Sequence, residues 1–256
     1  MITISADSHV IELSILIPVK DEAPNIPALA SEIETACSGL QLTRECIWVD
    51  DASNDATARV LQDTANNYPG HYFLILDKNY GQSAALHTAM QESRGAILAT
   101  MDGDGQNDPA DIPRLVNQLL KNKADMVNGK RARRRDTIIR KLSSRIGNGF
   151  RNMVTGENIS DIGCSMRVFR RDCLQGTFVF HGMHRFIPTL ARINGFERIE
   201  ELEVNHRPRQ QGQTRYGIGN RLWVGLADTL AVRWMKSRRV LPQVKTTNLS
   251  KRSGSV

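Results

Sequence analysis

Hydrophobic and polar residues along the first half of the chain form blocks of two alternating kinds. Short apolar runs rich in Ile, Leu and Val have the length of strands buried on both faces, and they occupy residues 13–19, 46–53, 72–77, 96–102 and 125–129. Segments with helical patterns lie between them, at 25–38, 55–67, 81–93 and 109–121. Asp55 is expected to be a helix N-cap, and Pro109 suits a first helical turn. Strands that alternate with crossover helices predict an α/β fold with a mostly parallel sheet.

The second half of the chain follows a different pattern. Residues 131–155 are basic and predicted to be helical, and a further helix is expected near 184–194. Two segments resemble strands, at 165–171 and 199–209. An amphipathic helix is predicted from Gly217 to Arg239, and the tail after Pro242 is polar and expected to be disordered.

Composition and charge narrow the class of protein. The 256 residues carry 34 Lys and Arg against 27 Asp and Glu, a net charge of +7 that favours phosphates, nucleic acid or an anionic membrane face as partners. The alternative explanation of the charge is a soluble protein that is basic without having an anionic partner. The first dozen residues lack a signal-peptide pattern, and no run reaches the ~18 apolar residues of a membrane helix. We therefore expect a cytoplasmic protein. Its four cysteines are scattered without a C-x-x-C pair, which disfavours zinc, and Cys37 and Cys46 are expected to be buried thiols.

The segment "TMDGDGQNDP", which follows an apolar run, concentrates side-chain oxygens at a strand end. Carboxylates two positions apart, as in Asp102 and Asp104, can converge on one hard cation such as Mg²⁺ or Mn²⁺. The loop is not an EF-hand, because Asn107 and Pro113 stand where that loop needs Gly and Glu. A solvated turn remains the alternative for an isolated motif of this kind.

Asp50-Asp51 is a second acidic strand end, and it comes earlier in the chain than the segment "TMDGDGQNDP". A helix-capping turn would also explain this pair, but clustered like charges favour a nearby cation or a ligand rich in donors. The chain has no Walker A pattern, and "GIG" at 217–219 lacks the third glycine of a dinucleotide fingerprint. Kinases, P-loop proteins and Rossmann dehydrogenases are therefore disfavoured.

Seven segments together resemble the family 2 glycosyltransferases with the GT-A fold. They are "SILIPVKDEAPNI", "WVDDASNDAT", "NYGQSAALHTAM", "MDGDGQNDP", "VNGKRARRRD", "DIGCSMRVFRR" and "HRPRQQGQTRY", and they span residues 14 to 216. The likeness is strongest to the polyprenyl-phosphate branch, which includes dolichol-phosphate mannose synthase and bacterial undecaprenyl-phosphate enzymes. It implies an N-terminal extension (1–12), a GT-A catalytic domain (13–216), an amphipathic helix (217–241) and a disordered tail (242–256).

The resemblance implies a role for each matching residue. The nucleotide-binding positions correspond to Pro18, Lys20, Glu22, Val49, Asp51, Asp102, Gly103, Asp104 and Arg131. The family often has an aromatic residue in place of Lys20, so the base is not assigned. Asp102, Asp104 and Gln106 would hold Mg²⁺ or Mn²⁺. The catalytic set implied by the likeness is Asp104, Asp161, Arg209 and Arg215, with the two arginines on a loop that closes over the diphosphate.

Further residues correspond to positions that bind the acceptor in this family. Arg131, Arg140 and Ser144 would bind the acceptor phosphate, although a solvated basic face also explains Arg140. Asp161 would orient the sugar or the acceptor, unless it caps a turn. His184 and Arg185 are candidates to approach the sugar.

The resemblance implies a metal-dependent enzyme that moves a sugar from a GDP- or UDP-linked donor to a polyprenyl phosphate, with inversion. An acceptor hydroxyl, with Asp161 as its base, is the alternative within the fold. A binder of nucleic acid through residues 130–151 is the alternative in another class, although we expect no nucleic-acid partner. The helix carries Trp223, Leu226, Leu230 and Trp234 beside basic residues, which suits the cytoplasmic face of a membrane. Packing on the core, or on a separate membrane subunit, would also explain it.

Overall fold

The computed structural model describes residues 10–132, 149–208 and 221–240, with the backbone alone for 221–224. The first half has the expected alternation of strands and helices. Its elements are β1 (Leu13–Val19), α1 (Ile26–Cys37), β2 (Arg44–Asp50), α2 (Thr57–Asn67), β3 (His71–Ile75), α3 (Gln82–Glu92), β4 (Ile97–Thr100), α4 (Asp111–Asn122) and β5 (Met126–Arg131). The predicted tail after Pro242 lies outside the described residues.

The described residues of the second half contain two strands, three helices and two short 3-10 turns. They are α5 (149–155), β6 (Arg167–Arg170), the turns Arg171–Leu174 and Met183–Arg185, α6 (Ile187–Ile193), β7 (Ile199–Val204) and α7 (Arg221–Arg238). The expectation that the helix begins at residue 131 was wrong. Arg131 is the last residue of β5, because its backbone continues the pairing of β5 with β7 as far as Val204.

The seven strands of the described residues form one mixed sheet in the order β3-β2-β1-β4-β6-β5-β7. Strands β3, β2, β1 and β4 are parallel to one another, β5 is parallel to β7, and β6 runs antiparallel to both β4 and β5. The mostly parallel sheet is therefore confirmed. Because β6 is reversed, its first residue, Arg167, lies at the same edge as the carboxyl ends of β1, β2, β4 and β5.

Alternate residues of each strand serve two hydrophobic layers, one on each face of the sheet. In β1, Ile15 and Ile17 pack with α1, α2 and α4, whereas Leu16 packs with α3 and α6. Val232 of α7 joins the second layer. Cys37 and Cys46 are buried thiols, as expected, and Cys164 and Cys173 are buried and free as well. Strands buried on both faces explain why the apolar runs in the sequence are continuous rather than alternating.

Helix α7 presents different residues on two sides. Val232 is fully buried, and Lys236 donates a hydrogen bond to the backbone oxygen of Thr155 at 2.7 Å. Leu230 and Trp234, by contrast, are 53% and 63% exposed. Within the described segments, no helix combines the length and the apolar character needed to cross a membrane.

The prediction that Asp55 is the N-cap of a helix was wrong by one position. Helix α2 begins at Thr57 and Ala56 occupies its N-cap position, so Asp55 is not the N-cap residue. The Asp55 carboxylate instead accepts hydrogen bonds from the backbone N–H groups of Thr57 at 2.9 Å and Ala23 at 3.3 Å. It therefore ties the start of α2 to the loop after β1, a long-range contact that local sequence does not reveal.

Replacing one isoleucine in a central strand tests the placement of the core. Ile15→Ala should lower the free energy of unfolding by about 2–5 kcal/mol, because it empties fully buried volume in β1. Ile75→Ala is the matched control, since Ile75 is 52% exposed on the edge strand β3 and its loss should cost about 0.5 kcal/mol or less. Urea unfolding followed by circular dichroism measures both values, and equal losses would contradict the assigned core.

Candidate active site

A cavity of about 330 Å³ opens at the carboxyl edge of the sheet. Its walls come from the ends of β1 and β4, the start of α3, and the segment 161–167. Among the residues that the structure describes, the charged lining consists of Asp102, Asp161, Arg131, Arg151, Arg167 and Arg185. Because arginines outnumber carboxylates in this lining, the cavity suits an anionic ligand.

The turn after β4 is held against the end of β1. A Cβ atom on Gly103 would lie 2.4 Å from Cγ1 of Val19, so a side chain at this position would force the two segments apart. Asn107 Oδ1 accepts hydrogen bonds from the Asp102 backbone N–H at 2.8 Å and from Ser165 Oγ at 3.0 Å. The turn is thus packed and hydrogen-bonded, unlike the solvated turn that the motif alone would also have allowed.

Two carboxylates meet in this turn. Burial and the negative charge of Asp104 raise the pKa of the Asp102 carboxyl to about 6. Asp102 Oδ1 accepts a hydrogen bond from Gln82 Nε2 at 2.7 Å, and Asp104 Oδ1 accepts one from the Gln106 backbone N–H at 3.0 Å. Neighbouring carboxylates that repel each other are relieved by a hard divalent cation, so this donor set fits Mg²⁺ or Mn²⁺. The Gln106 side chain is half-buried, and its role as a third ligand stays a prediction.

The loop after β2 fixes Asp51 firmly. The two oxygens of the buried Asp51 carboxylate accept hydrogen bonds from the backbone N–H groups of Tyr80 and Gly81, at 2.7 and 2.8 Å. Lys20 Nζ donates to the backbone oxygens of Asp51 and Ala52, at 3.1 and 2.7 Å. Ala52 has φ of 55°, a left-handed conformation that is strained for alanine. Any contact of Asp51 with a base would use its remaining lone pairs, and that role stays a prediction.

The other expected nucleotide-binding residues surround this loop. Pro18 lines the cavity. Glu22 is buried, and its Oε2 accepts a hydrogen bond from Asn25 Nδ2 at 2.6 Å. The Val49 side chain is fully buried in the hydrophobic layer beside α3, so only the backbone of Val49 can face a nucleotide.

Arg131 and Asp161 form a bidentate ion pair. Arg131 Nε donates to Asp161 Oδ2 and Arg131 Nη2 to Asp161 Oδ1, both at 2.7 Å, and the Arg131 backbone N–H also donates to Oδ2 at 3.2 Å. Both residues line the cavity. Since both carboxylate oxygens accept from a guanidinium group, Asp161 is poorly placed to take a proton from a substrate.

Four of the expected residues cannot be placed. Arg140, Ser144, Arg209 and Arg215 lie outside the described residues. Their assignments to the acceptor phosphate and to the diphosphate stay predictions.

Comparison with known proteins settles the family. The sequence profile of the family described as "Glycosyl transferase family 2" matches residues 14–178, which is more than half of the chain. The chain belongs to this family. The glycosyltransferase is 34% identical over 239 residues to a dodecaprenyl-phosphate galacturonate synthase of Rhizobium johnstonii, covering 91% of this chain and 69% of that protein. It is 36% identical over 208 residues to an undecaprenyl-phosphate 4-deoxy-4-formamido-L-arabinose transferase of Aeromonas hydrophila, covering 80% of this chain and 63% of that one. The predicted likeness to polyprenyl-phosphate sugar transferases is confirmed.

Solved structures confirm the GT-A fold. The glycosyltransferase superposes on glucosyl-3-phosphoglycerate synthase of Mycobacterium tuberculosis with a TM-score of 0.65 and 19% identity, covering 91% of this chain and 81% of that one. A mannosyltransferase of Pyrobaculum calidifontis in complex with GDP-mannose and Mn²⁺ gives a TM-score of 0.61 at 17% identity, covering 93% and 67% of the two chains. At these identities the likeness establishes the fold alone.

Several residues of the site were not identified by the sequence analysis. Gln82 and Asn107 stand inside the quoted motifs, but their bonds to Asp102 depend on the folded turn. Arg167 looked like an ordinary charge in a strand, yet it is buried and donates to the backbone oxygens of Ile162, Cys164 and His184. His184 and Arg185 line the cavity, and their predicted approach to the sugar stays a prediction.

The packing of Gly103 on Val19 can be tested with a compensating pair of substitutions. Gly103→Ala should weaken Mn²⁺ binding about tenfold or more, because the added Cβ displaces the turn that carries Asp102 and Asp104. The double variant Val19→Ala/Gly103→Ala removes Cγ1 and should recover most of the affinity. Titration of Mn²⁺ by electron paramagnetic resonance, with UDP or GDP present, measures both. Val19→Ala alone is the control, and a Gly103→Ala variant with unchanged affinity would refute the packing argument.

Proposed function

We propose that this glycosyltransferase transfers a sugar from a nucleoside-diphosphate donor to a polyprenyl phosphate. The observation that carries the proposal is the arginine-lined cavity directly beside Asp102 of the carboxylate turn. Open α/β sheets bind their ligands outside the carboxyl ends of the strands, which is where this cavity lies. The names of the relatives support the acceptor class. The chain spans 63% to 69% of the length of the two relatives described above, so the activity of the whole protein is part of the proposal.

The diphosphate of the donor would bind at the carboxylate turn. Asp102 and Asp104, with Gln106 as a predicted third ligand, would hold Mg²⁺ or Mn²⁺ there. When bound, the cation supplies positive charge to the diphosphate oxygens as the leaving group becomes more negative. Arg209 and Arg215 are proposed to add charge from the other side. The loop that holds Asp51 would carry the base, with UDP and GDP as the two candidates.

The acceptor phosphate needs no general base. A phosphate monoester is already anionic near neutral pH, so one of its oxygens can attack C1 of the sugar without losing a proton. The new C1–O bond forms as the bond from C1 to the diphosphate breaks, and the electron pair leaves with the nucleoside diphosphate. The family likeness implies inversion at C1. Arg131 would guide both phosphates, with Arg140 and Ser144 on the acceptor side. Asp161 would act as a positioning residue that fixes the Arg131 guanidinium.

A hydroxyl acceptor would require a base, and Asp161 is the candidate for that role. Its bidentate pairing with Arg131 argues against it. Transfer assays with undecaprenyl phosphate and with saccharide acceptors separate the two functions. A hydroxyl acceptor predicts that Asp161→Asn abolishes transfer at every pH. A phosphate acceptor predicts partial loss through a misplaced Arg131, seen mainly in the KM for the acceptor.

The metal site can be tested by one isosteric substitution. Asp104→Asn should lower the rate of Mn²⁺-dependent transfer at least about a hundredfold, because it removes a charged oxygen ligand from the leaving-group side. Asp63→Asn, on the exposed face of α2, is the matched control and should keep full activity. Radiolabelled sugar transfer to undecaprenyl phosphate measures both, and normal turnover of Asp104→Asn would remove Asp104 from the metal site.

Nucleotide binding tests the donor separately from the acceptor. Isothermal titration with UDP and GDP, with and without Mn²⁺, should show cation-dependent binding of one of the two. If neither binds under any of these conditions, the donor assignment fails, and the nucleic-acid alternative through residues 130–151 would then be tested by DNA and RNA binding.

A membrane surface is the proposed location of the reaction, because the acceptor is a lipid. Leu230 and Trp234 of α7 are exposed, and Arg233, Arg238 and Arg239 are exposed near them. Exposed apolar residues among cations suit the interface of an anionic bilayer. The position on the cytoplasmic face, and the alternative of docking to a separate membrane subunit, stay predictions.

Removing the exposed tryptophan tests this surface. Trp234→Ala should weaken binding to vesicles of phosphatidylcholine and phosphatidylglycerol about tenfold, since it deletes an apolar side chain that the interface would bury. Tyr72→Ala is the control, because Tyr72 is 48% exposed on the edge strand β3. Vesicle sedimentation gives both affinities. Equal binding by Trp234→Ala and the unmodified protein would exclude α7 as the contact.

A further inference from the structure

The carboxylate turn has little internal support around Asp104. Gly103 and Gly105 stand on either side of this residue, and Gly105 has φ of 73°, a left-handed conformation that glycine adopts readily. Among the described residues, the Asp104 carboxylate has one hydrogen bond, which its Oδ1 accepts from the Gln106 backbone N–H at 3.0 Å. The position of this predicted metal ligand therefore depends on how the backbone of Gln106 is held.

The backbone of Gln106 is held by a segment outside the turn, residues 205–207, which follows β7. The Arg207 backbone N–H donates to the Gln106 backbone oxygen at 2.8 Å. Next to this bond, Asn107 and His206 form an antiparallel bridge. Two consecutive residues of the turn are thus paired with two consecutive residues of segment 205–207, although more than ninety positions separate them in the sequence.

The Arg207 side chain connects the same segment to two carboxylates. Its Nη2 donates to Asp108 Oδ1 at 2.8 Å, and its Nη1 donates to Glu32 Oε2 of α1 at 2.6 Å. One guanidinium group therefore joins the end of the turn to a helix of the catalytic domain. The Asp108 side chain is 18% exposed and the Glu32 side chain 43%, so the contact with Asp108 is better shielded from solvent.

Arg207 differs in its placement from the arginines of the cavity. It is not among the described residues that line the cavity, and two of its nitrogen atoms already donate to carboxylates. A fork of donors that bridges two carboxylates gives a contact of defined geometry, which a single ammonium group cannot reproduce. Arg207 is therefore suited to hold the turn rather than to bind a substrate.

We infer that Arg207 is a positioning residue for the metal site and acts on Asp104 through the backbone of Gln106. This inference rests on the proposed function, in which Asp104 binds the cation. The guanidinium group holds segment 205–207 against Asp108. The segment in turn holds the Gln106 backbone, whose N–H group orients the Asp104 carboxylate. A turn that already has its binding shape loses less conformational freedom when the cation arrives.

Cation binding by the intact chain tests the inference without any need for turnover. Mn²⁺ is titrated by electron paramagnetic resonance with UDP present and, separately, with GDP present. Arg207→Gln should weaken Mn²⁺ binding about tenfold, because the support of a ligand is lost. Arg207→Lys keeps the charge without the fork and should lose less. Arg44→Gln is the matched control, since it removes a similarly exposed ion pair, with Glu34, at the opposite end of the sheet. It should leave Mn²⁺ affinity unchanged.

A double substitution and a stability measurement separate positioning from a general structural effect. Arg207→Gln and Arg44→Gln should lower Tm by similar small amounts, although only the first changes Mn²⁺ affinity. Asp108→Asn should weaken Mn²⁺ binding about as much as Arg207→Gln. The double variant Asp108→Asn/Arg207→Gln should be no weaker than either single variant, because both changes break one contact.

Three results would overturn the inference and leave the proposed function standing. They are unchanged Mn²⁺ affinity in Arg207→Gln, an equal loss in Arg44→Gln, and losses that add in the double variant. If the unmodified protein binds Mn²⁺ with neither nucleotide, the inference and the proposed function both fail.

Discussion

Crowding of carboxylates at the carboxyl edge of the sheet is the constraint on which the site depends. Parallel strands end together, and this chain places Asp50, Asp51, Asp102 and Asp104 after two of them. Most of this negative charge is offset within the protein. Asp50 Oδ1 accepts a hydrogen bond from the Ser53 backbone N–H, and Asp51 accepts two from the loop before α3. Asp102 is the exception, because burial and the negative charge of Asp104 raise the pKa of its carboxyl. A cation at this position would relieve a strain that the fold itself creates.

The parallel half of the fold was predictable from the sequence because its signal is local. Runs such as residues 13–19 are long, apolar and bounded by polar turns, and the element boundaries differ by only a few residues from those observed. The antiparallel insertion of β6 between β4 and β5 was not predictable in the same way. Strand order follows from contacts between residues far apart in the chain, such as Leu98 with Phe169. Arg167 could therefore be recognised as a strand residue but not as part of the cavity.

The residues of the candidate site also differ in whether the local sequence was enough to predict their role. Motifs that act through their own segment, such as Asp102-Gly103-Asp104, could be identified from spacing and chemistry. The partners of these motifs could not, because Gln82 and Asn107 meet Asp102 only after α3 and the turn have folded against β4. The roles of the arginines were the hardest to predict from the sequence. The same side chain serves as an ion-pair partner in Arg131, a donor to backbone oxygens in Arg167, and a cavity cation in Arg151, and composition gives all three the same charge.

Helix α7 connects the chemistry of the cavity to the proposed surface. On one side, Asp228 acts on Arg151 and on Arg185, and Lys236 reaches Thr155 at the end of α5. On the other side, Leu230 and Trp234 are exposed. The same 18-residue helix therefore carries a carboxylate that acts on two arginines of the cavity wall, and it presents the apolar surface proposed to meet lipid. Because one helix carries both features, the packing of Val232 in the core fixes the position of Asp228 relative to the exposed Leu230 and Trp234.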